Sequence, residues 1–207
     1  MERDAALLIV DVQNDFCPNG ALSISDGDRV VEPLNCAAEH FAAAGLPVLA
    51  SRDWHPPVTK HFREYGGLWP PHCVQGSPGA DFHPNLRLPA GTIVISKGID
   101  PERDSYSALE AVTEDRRTLT ELLAKLKVRH IYIGGLATDY CVRTSALDAL
   151  RLGFAITVFT DAVAGVDVHP GDSARALEEM ERAGARLRTV VSCTASAGSS
   201  DRKRHGG

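Results

Sequence analysis

The chain alternates between short apolar runs and longer segments in which apolar side chains recur at helical spacing. Most of the short runs are rich in β-branched residues and have no polar face, which is typical of strands buried on both sides of a parallel sheet. Six such strands are predicted, at residues 5–10, 47–51, 91–96, 130–133, 154–159 and 186–191.

The segments with helical spacing predict helices between these strands. They lie at residues 29–44, 118–127, 144–152 and 172–183. Strands that alternate with helices in this way are typical of α/β proteins. We therefore expect a three-layer α-β-α sandwich, built on a doubly wound, mostly parallel six-stranded sheet.

The length of 207 residues suits one domain of this class, which we expect to span residues 1–194. Residues 195–207 are mostly Ala, Ser, Gly and charged residues, a composition that supplies no packed core. We expect this last segment to be a disordered tail or an expression remnant without a role in the chemistry.

The overall composition argues against several classes of partner. A net charge of -5 and an isoelectric point of about 5.9 give no reason to expect nucleic acid or an anionic membrane. The five cysteines are scattered and include no C-x-x-C pair, so a zinc ribbon and a thioredoxin-type motif are excluded. Without a signal-peptide pattern we expect a reduced, cytoplasmic protein, and a homo-oligomer is compatible with this composition.

The predicted strand 130–133 is followed by a glycine turn and a helix, and Cys141 falls near the start of that helix. Asp139 or Thr138 is a suitable N-cap, which places Cys141 in the first helical turn. Free backbone N–H groups and the positive end of the helix dipole favour a thiolate there. Cys141 is therefore a candidate nucleophile; a buried small hydrophobic residue is the alternative.

Two charged residues come directly after predicted strands. Asp11 follows the first strand and Lys97 the third. Ligands of open α/β sheets bind outside the carboxyl ends of the strands, so we expect Asp11, Lys97 and Cys141 at one edge. A carboxylate, an ammonium group and a thiol together suit acyl transfer to cysteine and then to water. Taken singly, Asp11 also fits a loop or capping residue, and Lys97 fits a surface lysine.

Residues 53–90 form a long irregular stretch with many prolines and glycines, and loops of this length are usually functional. Asp53 and His55 stand two apart in an extended segment, so their side chains point the same way. Together with His72 they suit a catalytic divalent metal that keeps positions open to water or substrate. Surface histidines in a polar loop are the alternative interpretation.

Several motifs taken together resemble the nicotinamidases, the pyrazinamidase-type members of the isochorismatase-like cysteine hydrolases. The similarity spans about residues 5–192, and the motifs stand in the order found in the family. They are DVQNDF at 11–16, RDWHP at 52–56, WPPHCVQG at 69–76, SKG at 96–98, DSYSA at 104–108 and GLATDYCV at 135–142.

The resemblance implies a catalytic triad of Asp11, Lys97 and Cys141. It also implies a cis peptide bond between Leu136 and Ala137, which would aim the backbone N–H groups of Ala137 and Cys141 at an oxyanion.

The resemblance further implies one divalent metal ion held by Asp53, His55 and His72, with zinc expected first and iron or manganese as the alternatives. His61 or Glu64 would add a fourth ligand. The pyridine nitrogen of the substrate would bind this metal. The residues implied for the wall of the ring pocket are Phe16, Leu22, Trp69, Tyr106 and Tyr140.

The function implied by this resemblance is the hydrolysis of nicotinamide, and of pyrazinamide, to the acid and ammonia through a thioester on Cys141. Two other interpretations stay open at this point. One is a hydrolase of the same fold that acts on another small amide or a carbamoyl substrate. The other is a non-catalytic thiol-sensing or metal-binding protein.

Overall fold

Six strands pair in one sheet in the computed structural model, which describes residues 2–190. The strands are β1 (Ala5–Val10), β2 (Val48–Asp53), β3 (Ile93–Lys97), β4 (His130–Leu136), β5 (Ala155–Ala164) and β6 (Arg186–Arg188). Their order across the sheet is β3-β2-β1-β4-β5-β6, and each neighbouring pair is parallel. The predicted α/β fold is confirmed, with a sheet that is parallel throughout rather than mostly parallel.

Helices cover both faces of this sheet. Within residues 2–190 the α-helices are α1 (Val31–Ala43), α2 (Leu119–Lys125), α3 (Arg143–Arg151) and α4 (Asp172–Arg182). Successive side chains of β1 point to opposite faces. Leu7 and Ile9 pack in one core with α1, whereas Leu8 and Val10 pack in a second core with α2, α3 and α4. The sheet is therefore the middle layer of a three-layer sandwich.

β4 continues beyond residue 133, where the sequence predicted a turn, and runs through Gly134 and Gly135 to Leu136. Gly135 pairs with Val10 of β1 and has a φ of +128°. A Cβ at this position would lie 2.0 Å from the carbonyl oxygen of Val10. Glycine therefore does not end the strand here, because its missing side chain is what lets β1 and β4 approach each other.

The last two strands also differ in length from their predicted bounds. β5 continues past residue 159 to Ala164, and β6 is shorter than the predicted strand 186–191. Met1 and residues 191–207, which include the predicted tail, lie outside the described residues. No helix within residues 2–190 combines the length and the apolar character needed to cross a bilayer.

Alanine at Gly135 should lower the free energy of unfolding by more than about 3 kcal/mol, because the added Cβ would clash with the backbone of β1. Gly153, just after α3, is a matched control with a φ of +87° and no heavy atom within 4 Å of an added Cβ. Alanine there should cost only about 1–2 kcal/mol, the penalty of left-handed backbone. Urea unfolding measures both values, and equal losses at the two positions would contradict the close-approach explanation.

Candidate active site

The carboxyl ends of four adjacent strands bring four reactive side chains together. Asp11 follows β1, Asp53 ends β2, Lys97 ends β3 and Cys141 follows β4. These strands are neighbours in the order β3-β2-β1-β4, so their carboxyl ends form one continuous edge. The three residues that were expected to share an edge of the sheet do so, and Asp53 lies among them.

Lys97 lies at the centre of this group. Its side chain is buried, and its Nζ lies 3.0 Å from Oδ2 of Asp11 and 3.3 Å from Sγ of Cys141. Nζ also donates a short hydrogen bond to Oδ1 of Asp53. Burial alone would lower the pKa of Lys97, but the carboxylates of Asp11 and Asp53 outweigh it and raise that pKa well above its usual value. Lys97 is therefore a cation held between two carboxyl groups and a thiol.

Asp11 and Cys141 form a pair between which a proton can move. Burial is the largest influence on both and raises the pKa of the Asp11 carboxyl and of the Cys141 thiol, against the opposing charge of Lys97. Ser51 donates a 2.7 Å hydrogen bond to Oδ1 of Asp11, while Oδ2 pairs with the ammonium group of Lys97. A carboxylate oxygen of Asp11 lies within 4.8 Å of Sγ of Cys141. Burial thus favours the neutral thiol, with a carboxyl group close enough to take its proton.

The turn that carries Cys141 differs from the predicted helix start. Thr138–Val142 form a π-helical turn that begins after Ala137, and neither Thr138 nor Asp139 caps it with its side chain. The predicted cap is therefore wrong. The carboxylate of Asp139 instead accepts hydrogen bonds from the backbone N–H groups of Val166, over 2.9 Å, and Asp167, over 2.8 Å. The Leu136–Ala137 peptide bond is cis, as expected.

Three buried histidines face one another beside this group. One ring nitrogen each of His55, His61 and His72 lies within 4.8 Å of the others. Each ring donates a hydrogen bond from Nδ1. The acceptors are the carbonyl of Gly98 at 3.1 Å for His55, the carboxylate of Asp104 at 2.6 Å for His61, and the carbonyl of Pro70 at 2.7 Å for His72.

With Nδ1 engaged as a donor, each ring keeps a lone pair on Nε2, the usual arrangement of metal-ligating histidines. Nε2 of His55 is buried without a hydrogen-bond partner in residues 2–190, and it lies 3.8 Å from Oδ2 of Asp53. Burial lowers the pKa of His61, and lowers that of His72 to about 4, so both rings are neutral near pH 7. Neutral imidazoles next to a carboxylate are a donor set that fits a divalent cation.

Asp53 belongs to both groups of side chains. Burial would raise its pKa, but the positive charge of Lys97 outweighs it and holds the pKa of this carboxyl far below its usual range. Oδ1 accepts from Lys97, while Oδ2 points towards His55. Asp53 therefore stays ionised and links the ammonium group to the histidine cluster.

Of the two residues considered as a fourth ligand, the structure brings only His61 to the cluster. His61 is buried and stacks on the ring of His55 with a centroid distance of 4.4 Å. Glu64 is solvent-exposed, on a short turn formed by Arg63–Tyr65.

A narrow cavity opens onto both groups. Its lining includes Cys141 and Ala137 as well as Asp53, His61 and His72. The five residues expected at the ring pocket all line it, and Val166, which the sequence did not suggest, joins them. The wall residues are thus Phe16, Leu22, Trp69, Tyr106, Tyr140 and Val166.

Two supporting residues were not identified from the sequence. Gln13 accepts from the N–H of Asp53 and donates to its carbonyl, each over 2.8 Å, which fixes the backbone of this residue. Asp15 accepts a 2.7 Å hydrogen bond from the N–H of Cys73, next to His72. Both residues lie in the polar segment that follows β1. The sequence signal that could have indicated them is a buried strand followed directly by several polar residues.

Alanine at Gly98 should lower the affinity for a divalent metal by roughly 10–100-fold, the range found when a histidine ligand loses its supporting hydrogen bond. Gly98 has a φ of +67°, and an added Cβ would lie 2.4 Å from Cε1 of His55. Gly91, at the other end of the same strand, is the control, since a Cβ there meets nothing within 4 Å. Metal analysis after dialysis against a metal buffer compares the variants; equal metal content in both would argue against His55 as a ligand.

Comparison with known proteins agrees with this geometry. The nicotinamidase of Escherichia coli (strain K12) is 41% identical over 202 residues, which cover 90% of this chain and 95% of that protein. The crystal structure of the pyrazinamidase of Pyrococcus horikoshii in complex with zinc is 42% identical, with a TM-score of 0.83 over 90% of this chain and 99% of that one. The crystal structure of PnC1 from L. infantum in complex with nicotinate is 32% identical, with a TM-score of 0.81 over 92% of this chain and 96% of that one.

The profile of the isochorismatase domain matches residues 5–192, which include β1–β6 and each side chain of the site described above. The match extends over nearly the whole length of the sequence, so the chain belongs to the isochorismatase family.

Proposed function

We propose that this chain is a metal-dependent cysteine amidohydrolase that converts nicotinamide to nicotinate and ammonia, and that also accepts pyrazinamide. The observation that carries the proposal is the placement of two groups of side chains against one aromatic cavity. Asp11, Lys97 and Cys141 form the first group, and the histidine cluster with Asp53 forms the second. The nicotinamidase and pyrazinamidase relatives, one with zinc and one with nicotinate, support the same activity.

The cavity suits a small, flat and neutral substrate. Its wall includes the rings of Phe16, Trp69, Tyr106 and Tyr140, and the rings of Trp69 and Tyr140 meet edge to face at a centroid distance of 5.0 Å. The cavity is narrow, and the surface that lines it is mostly apolar. A single flat heteroaromatic ring that carries a carboxamide matches this aromatic wall.

The donor set fits one divalent cation, which Asp53, His55, His61 and His72 would hold. When bound, the cation supplies a Lewis-acidic position for an electron-rich nitrogen such as that of a pyridine ring. Imidazole and carboxylate ligands suit zinc, and iron or manganese are the alternatives. The zinc complex of the P. horikoshii relative supports zinc.

In the first half of the reaction, the sulfur of Cys141 attacks the carboxamide carbon while Asp11 takes the thiol proton. Lys97 contacts both groups, so its positive charge stabilises the negative charge as it passes from the carboxylate to the sulfur. We assign the backbone N–H groups of Ala137 and Cys141 to the oxyanion of the tetrahedral intermediate. Asp11 then returns the proton to the amide nitrogen, the C–N bond breaks, and ammonia leaves a thioester on Cys141.

In the second half, water attacks the thioester carbonyl and Asp11 accepts its proton. The C–S bond breaks, the proton passes to the sulfur, and nicotinate is released. The carboxyl group of Asp11 thus acts first as a base and then as an acid in each half of the reaction. A pKa above the usual value for an aspartate favours this double role. Burial raises the pKa of Asp11 in that direction.

We also place this enzyme in the cytoplasm. Cys17, Cys36, Cys73 and Cys141 are free thiols in the structure, which is consistent with a reducing compartment.

The substrate assignment is tested by measuring ammonia and acid release by the pure protein with several amides. We expect turnover of nicotinamide and pyrazinamide and none of an aliphatic primary amide. Faster turnover of an N-carbamoyl amino acid than of nicotinamide would favour another hydrolase of the same fold. Absence of ammonia with every compound, from protein with its full metal content, would favour a non-catalytic thiol or metal-binding protein.

Replacement of Cys141 by alanine should lower nicotinate production by at least about 10⁴-fold, because no other group can form the thioester. Metal content and thermal stability should stay close to those of the unmodified protein, since the sulfur is not assigned to the cation. Cys36, which is exposed, is the matched control, and Cys36→Ala should keep the full rate. A normal rate from Cys141→Ala protein free of the parent enzyme would disprove the thioester mechanism.

A further inference from the structure

The Nδ1 atoms of the three clustered histidines donate to two different kinds of acceptor. His55 and His72 donate to backbone carbonyl oxygens, whose positions are fixed by the chain itself. His61 donates to a side chain instead, the carboxylate of Asp104, over 2.6 Å. His61 is therefore the histidine of this cluster whose Nδ1 is held by the side chain of another residue.

Asp104 lies in the loop that follows β3, and other contacts tie this loop to the segment that carries His61. The N–H of Lys60 donates to the carbonyl of Pro101 over 2.8 Å. Lys60 and Glu102 also form an ion pair at the surface. The carboxylate of Asp104 is thus presented to His61 by a loop that is already anchored beside it.

The same loop carries a wall residue of the cavity. Tyr106 accepts a 2.9 Å hydrogen bond at its hydroxyl oxygen from Nε1 of Trp69, and its ring centroid lies 5.7 Å from that of His61. Asp104 and Tyr106 are therefore two contacts of one loop, the first with the histidine cluster and the second with the pocket wall.

We propose that Asp104 is a positioning residue of the metal site, whose carboxylate fixes the tautomer and the ring orientation of His61 so that Nε2 faces the cluster. This rests on the proposed function, because it takes the histidine cluster to hold a divalent cation. A carboxylate acceptor makes the far nitrogen of an imidazole a stronger electron donor to a cation and restrains the ring. Asp104 itself is not among the residues that line the cavity.

The exposure of Asp104 indicates which property of the protein its removal should change. About half of its side chain is exposed (54%), whereas His61 is almost fully buried. In the metal-free protein water can reach this carboxylate and replace it as the acceptor from His61, so the hydrogen bond contributes little to folding. Loss of the carboxylate should therefore act on cation affinity and leave the stability of the metal-free protein almost unchanged.

The test compares Asp104→Ala and Asp104→Asn with the control Glu102→Ala, which removes a surface contact of the same loop without touching a histidine. Metal-free proteins are titrated with Zn²⁺ against a chelating dye. We expect Asp104→Ala to weaken Zn²⁺ binding by roughly 10–100-fold. Asp104→Asn should lose less, since an amide oxygen still accepts from Nδ1, and Glu102→Ala should match the unmodified protein.

The absorption spectrum of the Co²⁺-substituted proteins supplies a second measurement that does not depend on turnover. It should change in Asp104→Ala, because the position of His61 around the ion changes, and should be unaltered in Glu102→Ala. Equal Zn²⁺ affinity and equal Co²⁺ spectra in all variants would overturn the role of Asp104, as would equal losses in Asp104→Ala and Glu102→Ala. Unmodified protein that binds no Zn²⁺ would instead contradict the proposed metal site itself.

Discussion

The site depends on one buried ammonium group, that of Lys97. A buried charge is costly unless it is paired, and here the pairing groups are the reactive ones: Asp11, Asp53 and Cys141. The ammonium keeps Asp53 ionised and stands next to both partners of the proton transfer. Removing it would leave two carboxyl groups buried side by side, an arrangement in which one of them takes up a proton.

The order of the strands explains how one lysine can serve these groups. Asp11, Asp53 and Lys97 stand at the ends of three neighbouring parallel strands, and Cys141 follows the fourth. Close contact between β1 and β4 requires glycine at position 135, so the position of the cysteine turn depends on a residue without a side chain. The backbone of the sheet therefore sets the distances between the positions of Asp11, Lys97 and Cys141.

The histidine cluster is supported by a different kind of structure. It lies on an irregular segment that is held by hydrogen bonds and not by a sheet. Asp53 belongs to the end of β2, where Gln13 binds its backbone, whereas His72 lies in a loop that Asp15 holds through the N–H of Cys73. Asp53 joins the two regions, since one of its oxygens accepts from Lys97 and the other points to His55. Charge near Cys141 and charge near the histidine cluster are thus linked through a single carboxylate.

The sequence predicted the fold and the candidate residues, because buried strands have a clear apolar signature and Asp11 and Lys97 follow such strands directly. It could not predict the end of β4, since two consecutive glycines also fit a turn. It also did not reveal the π-helical turn before α3, where Asp139 binds a distant loop instead of capping the helix. Contacts such as that between His61 and Asp104 join segments far apart in the chain and carry no local pattern.

The most direct test of the central claim is to locate the acyl group during turnover. Protein mixed with nicotinamide is quenched in acid within one turnover, digested, and analysed by mass spectrometry. The account predicts a nicotinoyl group on the peptide that contains Cys141, formed before nicotinate appears and lost as it accumulates, with Cys17, Cys36 and Cys73 unmodified. Nicotinate released at the full rate without any acyl group on Cys141, or with the acyl group on another residue, would contradict it.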